Sequence, residues 1–253
     1  MIYGLYLSAS GVLANSYRQD VIANNLANAE TVGFKKDLAV FQEQQTESAR
    51  RGLNPARHSN LVLEGLGGGL GAMPMYVDHS QGELEPTGGP LDVAIQGEGY
   101  FAVRHRGRRM LTRDGRFLAD REGYLIQATT GAEVLDSEGQ PIKLNPGLPA
   151  QITPDGAITQ NNQAVARLGT FTVNDPRKLI KHGSGLMEST DPRSIRPGDA
   201  ALRTGFVERS NVEPTRELVA LLDAQRQLEA NANMIRYQDQ TLGRLVNDVG
   251  KIG

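Results

Sequence analysis

PTRELVALLDAQRQLEANANMIRYQDQTLGRLVNDV, residues 214–249, is the stretch on which the architecture turns. Leu218, Leu221, Gln225, Leu228, Ala232, Ile235, Asp239, Leu242, Val246 and Val249 recur at alternating steps of three and four. That is the spacing of a coiled-coil seam. Pro214 suits a first helical turn, because its φ is preset and its missing N–H has no helical partner there. Thr215 or Asn211 offers a capping oxygen, and Gly250 and Gly253 suit an end. At 1.5 Å per residue, about 35 residues make a rod on the order of 50 Å long. A helix of that length is marginal alone, so the stripe predicts a partner helix.

The partner stripe lies at the other end of the chain: Ile2, Leu5, Ala9, Val12, Ser16, Gln19, Ala23 and Leu26. Arg18 and Asp20 are the only charges in the first 28 residues. A helix with one solvated face normally carries more charge. The segment is therefore expected to be covered on several sides, by its own domain or by other subunits.

Between the ends the sequence is punctuated by turns. Gly99, Gly107, Gly115, Gly123, Gly131, Gly139 and Gly147 recur every eight residues, with Asp114-Gly115, Glu122-Gly123 and Asp155-Gly156 as turn dipeptides. Leu91–Ile95, Tyr100–Arg104, Met110–Thr112, Phe117–Ala119 and Tyr124–Gln127 are short strand candidates. The expected fold class is α+β, with N- and C-terminal helices forming a coiled-coil element around a central all-β domain. The expected divisions are an N-terminal helical segment 1–42, a glycine-rich extended connector 43–80, a β-rich middle 81–204 and a C-terminal helical segment 205–253.

Composition narrows the function. Of 253 residues, 27 are Lys or Arg and 29 are Asp or Glu, a formal charge of −2. A nucleic-acid partner is not expected, because neutralising phosphates calls for a net basic surface. With no Cys, thiol catalysis, disulfides and cysteine–metal sites are excluded. Apolar runs such as Leu91–Ile95 fall far short of the ~18 residues a spanning helix needs, so no membrane insertion is expected. The N-terminus lacks a cationic secretory n-region, its first basic residue being Arg18.

Catalytic chemistry is sparse. Gly97-Glu98-Gly99-Tyr100-Phe101-Ala102 fits a G-x-G-x-x-A fingerprint with Asp120 about twenty residues on. The fingerprint needs a helix to start there, whereas Tyr100-Phe101-Ala102-Val103 is β-type, so no cofactor is expected. His58, His79, His105 and His182 show no paired ligand spacing, and no metal is expected. Arg104, His105, Arg106, Arg108, Arg109, Arg113 and Arg116 form a basic cluster across one hairpin, read as a solvated face or as an anion-binding one.

The ends carry a family pattern. Leu5-Tyr6, Ala9-Ser10-Gly11, Asp20-Val21-Ile22-Ala23-Asn24-Asn25-Leu26-Ala27-Asn28 and Thr31-Val32-Gly33-Phe34-Lys35 resemble the N-terminal signature of bacterial flagellar basal-body rod and hook proteins. Gly82-Glu83-Leu84, Pro90 to Ile95, Thr112-Arg113-Asp114-Gly115, Gly205-Phe206-Val207-Glu208, Ser210-Asn211-Val212 and Glu217-Leu218-Val219 are similar too, as are Arg226 and Glu229-Ala230-Asn231. The likeness is weak at 43–80, 119–150 and 184–202. Leu228 stands where many relatives carry an aromatic residue.

This resemblance implies a structural subunit and not an enzyme. It implies export by the flagellar type III apparatus without cleavage, and helical polymerisation into a torque-transmitting rod that crosses the periplasm. The implied partners are further copies of the chain, other flagellar rod and hook proteins, and the export apparatus. The lack of an inserted domain favours rod over hook; proximal and distal rod segments both stay open, the compact length leaning to proximal. A coiled-coil adaptor with a β recognition module is the alternative class, and an enzyme built on the β core a third. The residues expected at the assembly interface are Leu5, Ala9, Val12, Asn24, Asn25, Leu26, Asn28, Leu218, Leu221, Leu228, Ile235 and Leu242. The three asparagines are expected to bridge backbones of different chains, because an amide both donates and accepts without a buried charge. Asn28 has a local alternative, as a helix end.

Overall fold

The computed structural model describes residues 2–45 and 68–249. The expected connector lies largely outside them, as do His58, Gly250 and Gly253. The chain divides into two compact units, each assembled from separate stretches. The first takes Met1–Leu26, Asp37–Tyr76 and Pro214–Gly253, and the second Ala27–Lys36 and Val77–Glu213.

The first unit contains two long helices, α1 (Ile2–Ala27) and α2 (Pro214–Val249). α1 has no acidic residue in its first turn and no basic one in its last. Nothing in its charge pattern complements the helix dipole, so packing must hold it. Beside the helices lies an antiparallel ribbon, Phe41–Glu43 against Leu70–Ala72. Phe41 meets Tyr17 edge-on at 6.1 Å between ring centroids, and the Arg18 guanidinium sits 5.3 Å from the Phe41 ring.

In the second unit the strand pairing is antiparallel, with two short 3-10 turns at Pro176–Lys178 and Pro192–Ser194. Its largest sheet runs Leu179–Lys181, Leu186–Ser189, Arg108–Thr112, Tyr100–His105, Glu133–Val134, Leu125–Gln127, Phe117–Ala119. Thr170–Val173 also pairs with Tyr100–His105 and carries Ile195–Gly198 beyond it. Ala150–Ile152, Ala157–Gln160 and Gln163–Arg167 form a separate meander.

Tyr100–His105 shows how the core is divided. Successive side chains on a strand point to opposite faces. Phe101 and Val103 therefore enter one apolar cluster and Tyr100 and Ala102 another. With no Trp in the chain, Phe101 and Phe117 anchor the first cluster, edge-to-face at 5.3 Å. Six of the seven glycines spaced eight apart have positive φ, and among them Gly107 and Gly123 turn hairpins between paired strands. Gly115 is the seventh; a Cβ there would lie 1.7 Å from the Val93 carbonyl oxygen.

Two segments sit elsewhere than the sequence reading placed them. α1 ends at Ala27, where Thr31 N–H and Thr31 Oγ1 both bond to Asn28. Residues 27–36 then pack in the β unit, as do residues 205–213 from the other end. Ala29, Phe34 and Val212 form a small buried cluster there. The run Val32-Gly33-Phe34-Lys35 is not helical because Gly33 needs φ +69°.

Candidate assembly site

In the helix pair, the stripe that faces inward is not the one the apolar spacing marks. Along α1 the contacts to α2 fall at Gly4, Gly11, Arg18 and Asn25, one heptad apart. They meet Gln238, Asn231, Gln227 and Glu217 in antiparallel order. A Cβ on Gly4 would lie 2.7 Å from Gln238 Nε2, and one on Gly11 would lie 2.8 Å from Asn231 Nδ2. Arg18 Nη1 donates to Gln227 Oε1 at 3.3 Å, and Asn25 Nδ2 to Glu217 Oε2 at 3.4 Å. Ser8, Ala14, Asn15, Val21 and Ile22 are buried on the same side.

The α1 seam is thus rotated by one residue from Leu5, Ala9, Val12 and Leu26, which are half-buried on its flank. One residue is 100° of helix, since 3.6 residues make a turn. The physical reason is size. Glycine and serine let the helix axes approach, while leucine and valine would hold them apart.

On α2 the half-buried positions include Leu221, Leu228, Ile235 and Leu242, in agreement with one half of the expected seam. The other half shifts by one residue. Glu217 and Ala224 are buried in place of Leu218 and Gln225. Leu218, Val219, Leu222 and Tyr237 are about half exposed or more. At 100° per residue Val219, Leu222 and Tyr237 fall on the side of α2 opposite the seam, with Leu218 at the edge of that face. Leu13 and Tyr6 of α1 are exposed as well. The seam is small and polar, and much of the apolar surface points away from it.

The asparagines separate. Asn25 is 1% exposed and its amide is satisfied within the chain. Its Nδ2 donates to the Asp37 carbonyl at 2.8 Å and its Oδ1 accepts from Asp37 N–H at 2.9 Å. Asn24 is exposed and Asn28 half-buried at the helix end.

In the β unit, motifs from four parts of the sequence converge on Glu208, which is fully buried. Lys35 Nζ donates to Glu208 Oε1 at 2.5 Å and to the Ser80 carbonyl at 2.7 Å. Arg113 Nη1 donates to Glu208 Oε2 at 3.0 Å, and its Nη2 to the Gly97 carbonyl at 2.9 Å. Gly82 N–H reaches Glu208 Oε1 at 3.0 Å, and Gly33 N–H reaches the Glu208 carbonyl at 2.7 Å. Asn211 completes the junction. Its Oδ1 accepts from Lys36 N–H at 2.7 Å, and its Nδ2 donates to the Asp78 carbonyl at 3.0 Å.

Lys35 and Arg113 are 1% and 3% exposed. Burial lowers the Lys35 ammonium pKa, while the Glu208 carboxylate pulls it back up. Removing Glu208 from this set would cost about 3–5 kcal/mol, because two buried cations are then left uncompensated. Sequence reasoning missed this junction. The available signal was a charge inside each family-like motif beside an apolar neighbour: Phe34-Lys35, Val207-Glu208.

The basic cluster disperses into separate contacts. Arg104 pairs with Glu133 at 2.6 Å, Arg108 with Glu188 at 3.6 Å and Arg116 with Asp114 at 3.1 Å. Arg109 lies 4.5 Å from the Phe171 ring centroid, and Arg113 turns inward to Glu208. The glycine run at 97–99 leads into the strand Tyr100–His105 and not into a helix.

Tyr100 Oη and His79 Nδ1 are 2.9 Å apart. Burial pushes the Tyr100 hydroxyl up to about 12. Burial, and then the nearby Lys35 charge, lower the His79 pKa below the ordinary 6.5. The unfolded chain therefore binds this proton more readily than the folded one. The stabilising contribution is full above pH 6.5 and is lost as pH falls from 6.5 towards the depressed folded value. The melting temperature of the β unit should drop between pH 7.5 and 5.5, and His79→Gln should flatten that drop. An unchanged slope in the variant would show that His79 does not drive it.

The chain is similar to known proteins over nearly its whole length. Residues 5–35 match the family described as "Flagella basal body rod protein". Residues 94–173 match "Flagellar hook protein FlgE/F/G D1 domain" and residues 203–248 match "Flagellar basal body rod FlgEFG protein C-terminal". Flagellar basal-body rod protein FlgF of Caulobacter vibrioides is 35% identical, with 98% of each chain covered. FlgF of Mesorhizobium japonicum is 31% identical, with 97% of each covered. Flagellar basal-body rod protein FlgG of Bacillus subtilis is 32% identical, covering 98% of this chain and 99% of its own.

Proposed function

The chain belongs to the flagellar basal-body rod protein family, whose members are structural and not enzymes, and from that premise we propose that it polymerises helically through its terminal helices to build part of the rod. The observation that carries this reading is the apolar surface α1 and α2 leave outside their own seam. Leu218, Val219, Leu222 and Tyr237 are exposed on one face of α2, and Leu13 and Tyr6 on α1. Each would gain roughly 25 cal/mol per Å² if covered by a neighbouring subunit. The flank of α1 at Leu5, Ala9 and Val12 supplies a second stripe at coiled-coil spacing.

Its partners are further copies of itself and other flagellar rod and hook proteins, and its place is the flagellar basal body. The subunit leaves the cytoplasm through the flagellar export apparatus, and the finished rod crosses the periplasm and passes torque. Asn24 and Asn28 remain candidates for contacts between subunits. Among the described residues no helix is long and apolar enough to cross a membrane.

Negative-stain microscopy of concentrated full-length chain, beside a chain lacking both α1 and α2, tests the reading. Short rods or concentration-dependent oligomers are expected from the full chain alone. A fixed dimer at every concentration would instead favour an adaptor and defeat polymerisation.

A further inference from the structure

We propose that Lys35, Glu208 and Arg113 form a charge-specified clasp that fixes, within the β unit, the two points from which the chain continues into the terminal helices. They would be positioning residues for assembly, acting through the segments they hold. The consequence for the rod rests on the reading above; the clasp itself does not.

The geometry supports a clasp in three ways. First, it joins the right segments. Residues 29–36 follow α1 and residues 206–213 precede α2. They are tied to each other by Lys35 to Glu208, by Gly33 N–H to the Glu208 carbonyl, and by Lys36 N–H to Asn211 Oδ1. Second, apolar support there is thin. Ala29, Phe34 and Val212 are the whole local cluster among the described residues, whereas the sheet core holds fifteen buried side chains in its larger cluster alone. Polar bonds must supply what packing does not.

Third, the charges are unequal in number. Among the described residues, Glu208 is the one anion in direct contact with both buried cations, the Asp78 charge acting on Lys35 more weakly. Losing Glu208 leaves two like charges buried side by side, while losing Lys35 leaves a neutral Arg113–Glu208 pair. A packing role gives the opposite order. Glu208→Gln preserves shape almost perfectly, so packing alone would make it the mildest change.

Amide exchange on the dilute full-length chain separates the two. In Glu208→Gln, amides of 29–36 and 206–213 should lose protection by at least about a hundredfold, while those of the Tyr100–His105 and Arg108–Thr112 hairpin change by less than about threefold. Lys35→Met should cost these segments less than about tenfold. Adding Lys35→Met to Glu208→Gln removes one of the two stranded cations and should recover part of the loss. Failure of Glu208→Gln to fold where Lys35→Met folds gives the same order and supports the clasp. Equal protection in all variants, the reverse order, or uniform loss across the sheet overturns it.

In motile cells whose own gene is deleted, Glu208→Gln should fail to restore swimming and the double variant should restore it in part. Segment release in vitro with full swimming in cells would overturn the positioning role. Cells that swim normally with the gene deleted would contradict the rod reading and leave the exchange result standing.

Discussion

Gly33→Ala is expected to destabilise the β unit by about 2–6 kcal/mol. Two costs combine. Gly33 has φ +69°, a left-handed conformation that costs a side-chain-bearing residue about 1–3 kcal/mol. An added Cβ would also lie 2.5 Å from Asp114 N and 2.6 Å from Arg113 C. Both are backbone atoms of the Thr112-Arg113-Asp114-Gly115 turn, so no flexible side chain can swing away. Overpacking of this kind costs typically about 1–3 kcal/mol. The clash also pushes Gly33 off the Glu208 carbonyl, its partner at 2.7 Å. Urea unfolding followed by circular dichroism would measure the loss. A midpoint within error of the natural chain would mean that the turn yields and that the contact is not a fixed one.

Leu222→Asp should abolish assembly without disturbing the isolated chain. Leu222 is 56% exposed on the face of α2 that points away from α1. In the monomer the change costs little more than helix propensity, about half a kcal/mol. In the polymer it sets a carboxylate against whatever apolar surface the neighbouring subunit presents. Losing the leucine contact and desolvating the charge together cost roughly 3 kcal/mol or more per contact. That raises the critical concentration by at least about a hundredfold. Sedimentation should find a monomer of unchanged helicity where the natural chain forms rods.

Ile235→Asp provides the contrast. Ile235 is half-buried on the α2 seam. Its replacement should lower helicity as well as assembly, while the β unit stays folded. Arg236→Asp, at an exposed neighbouring position, should be the mildest of the three. Rods formed normally by the Leu222 variant would show that this face is not the polymer contact.

The ribbon Phe41–Glu43 and Leu70–Ala72 illustrates what a linear reading misses. Its strands are three residues each, too short for a period to be read, and they belong with the helices through Phe41 against Tyr17 and Arg18. Nothing local in either strand announces that partner.

Long-period features were legible in the sequence by itself. Two helices at the ends, a turn-rich antiparallel middle and the strand Phe117–Ala119 follow from patterns that each segment carries internally. Period and turn chemistry are local properties, set by side-chain direction and by which residues tolerate positive φ. The family likeness was legible for a similar reason, because its motifs are short and contiguous. Tertiary structure alone decided which face of each helix turns inward. A stripe at three-and-four spacing marks apolar residues, but close approach selects small ones, so Gly4 and Gly11 displaced Leu5 and Val12 from the seam. It alone made Asn25 an internal strut and Leu218 an exposed residue. It alone brought Lys35, Ser80, Gly82, Arg113 and Glu208 to one buried junction. Those residues are separated by up to 173 positions, and a buried charge declares its partner through distance in space, which spacing along the chain does not encode.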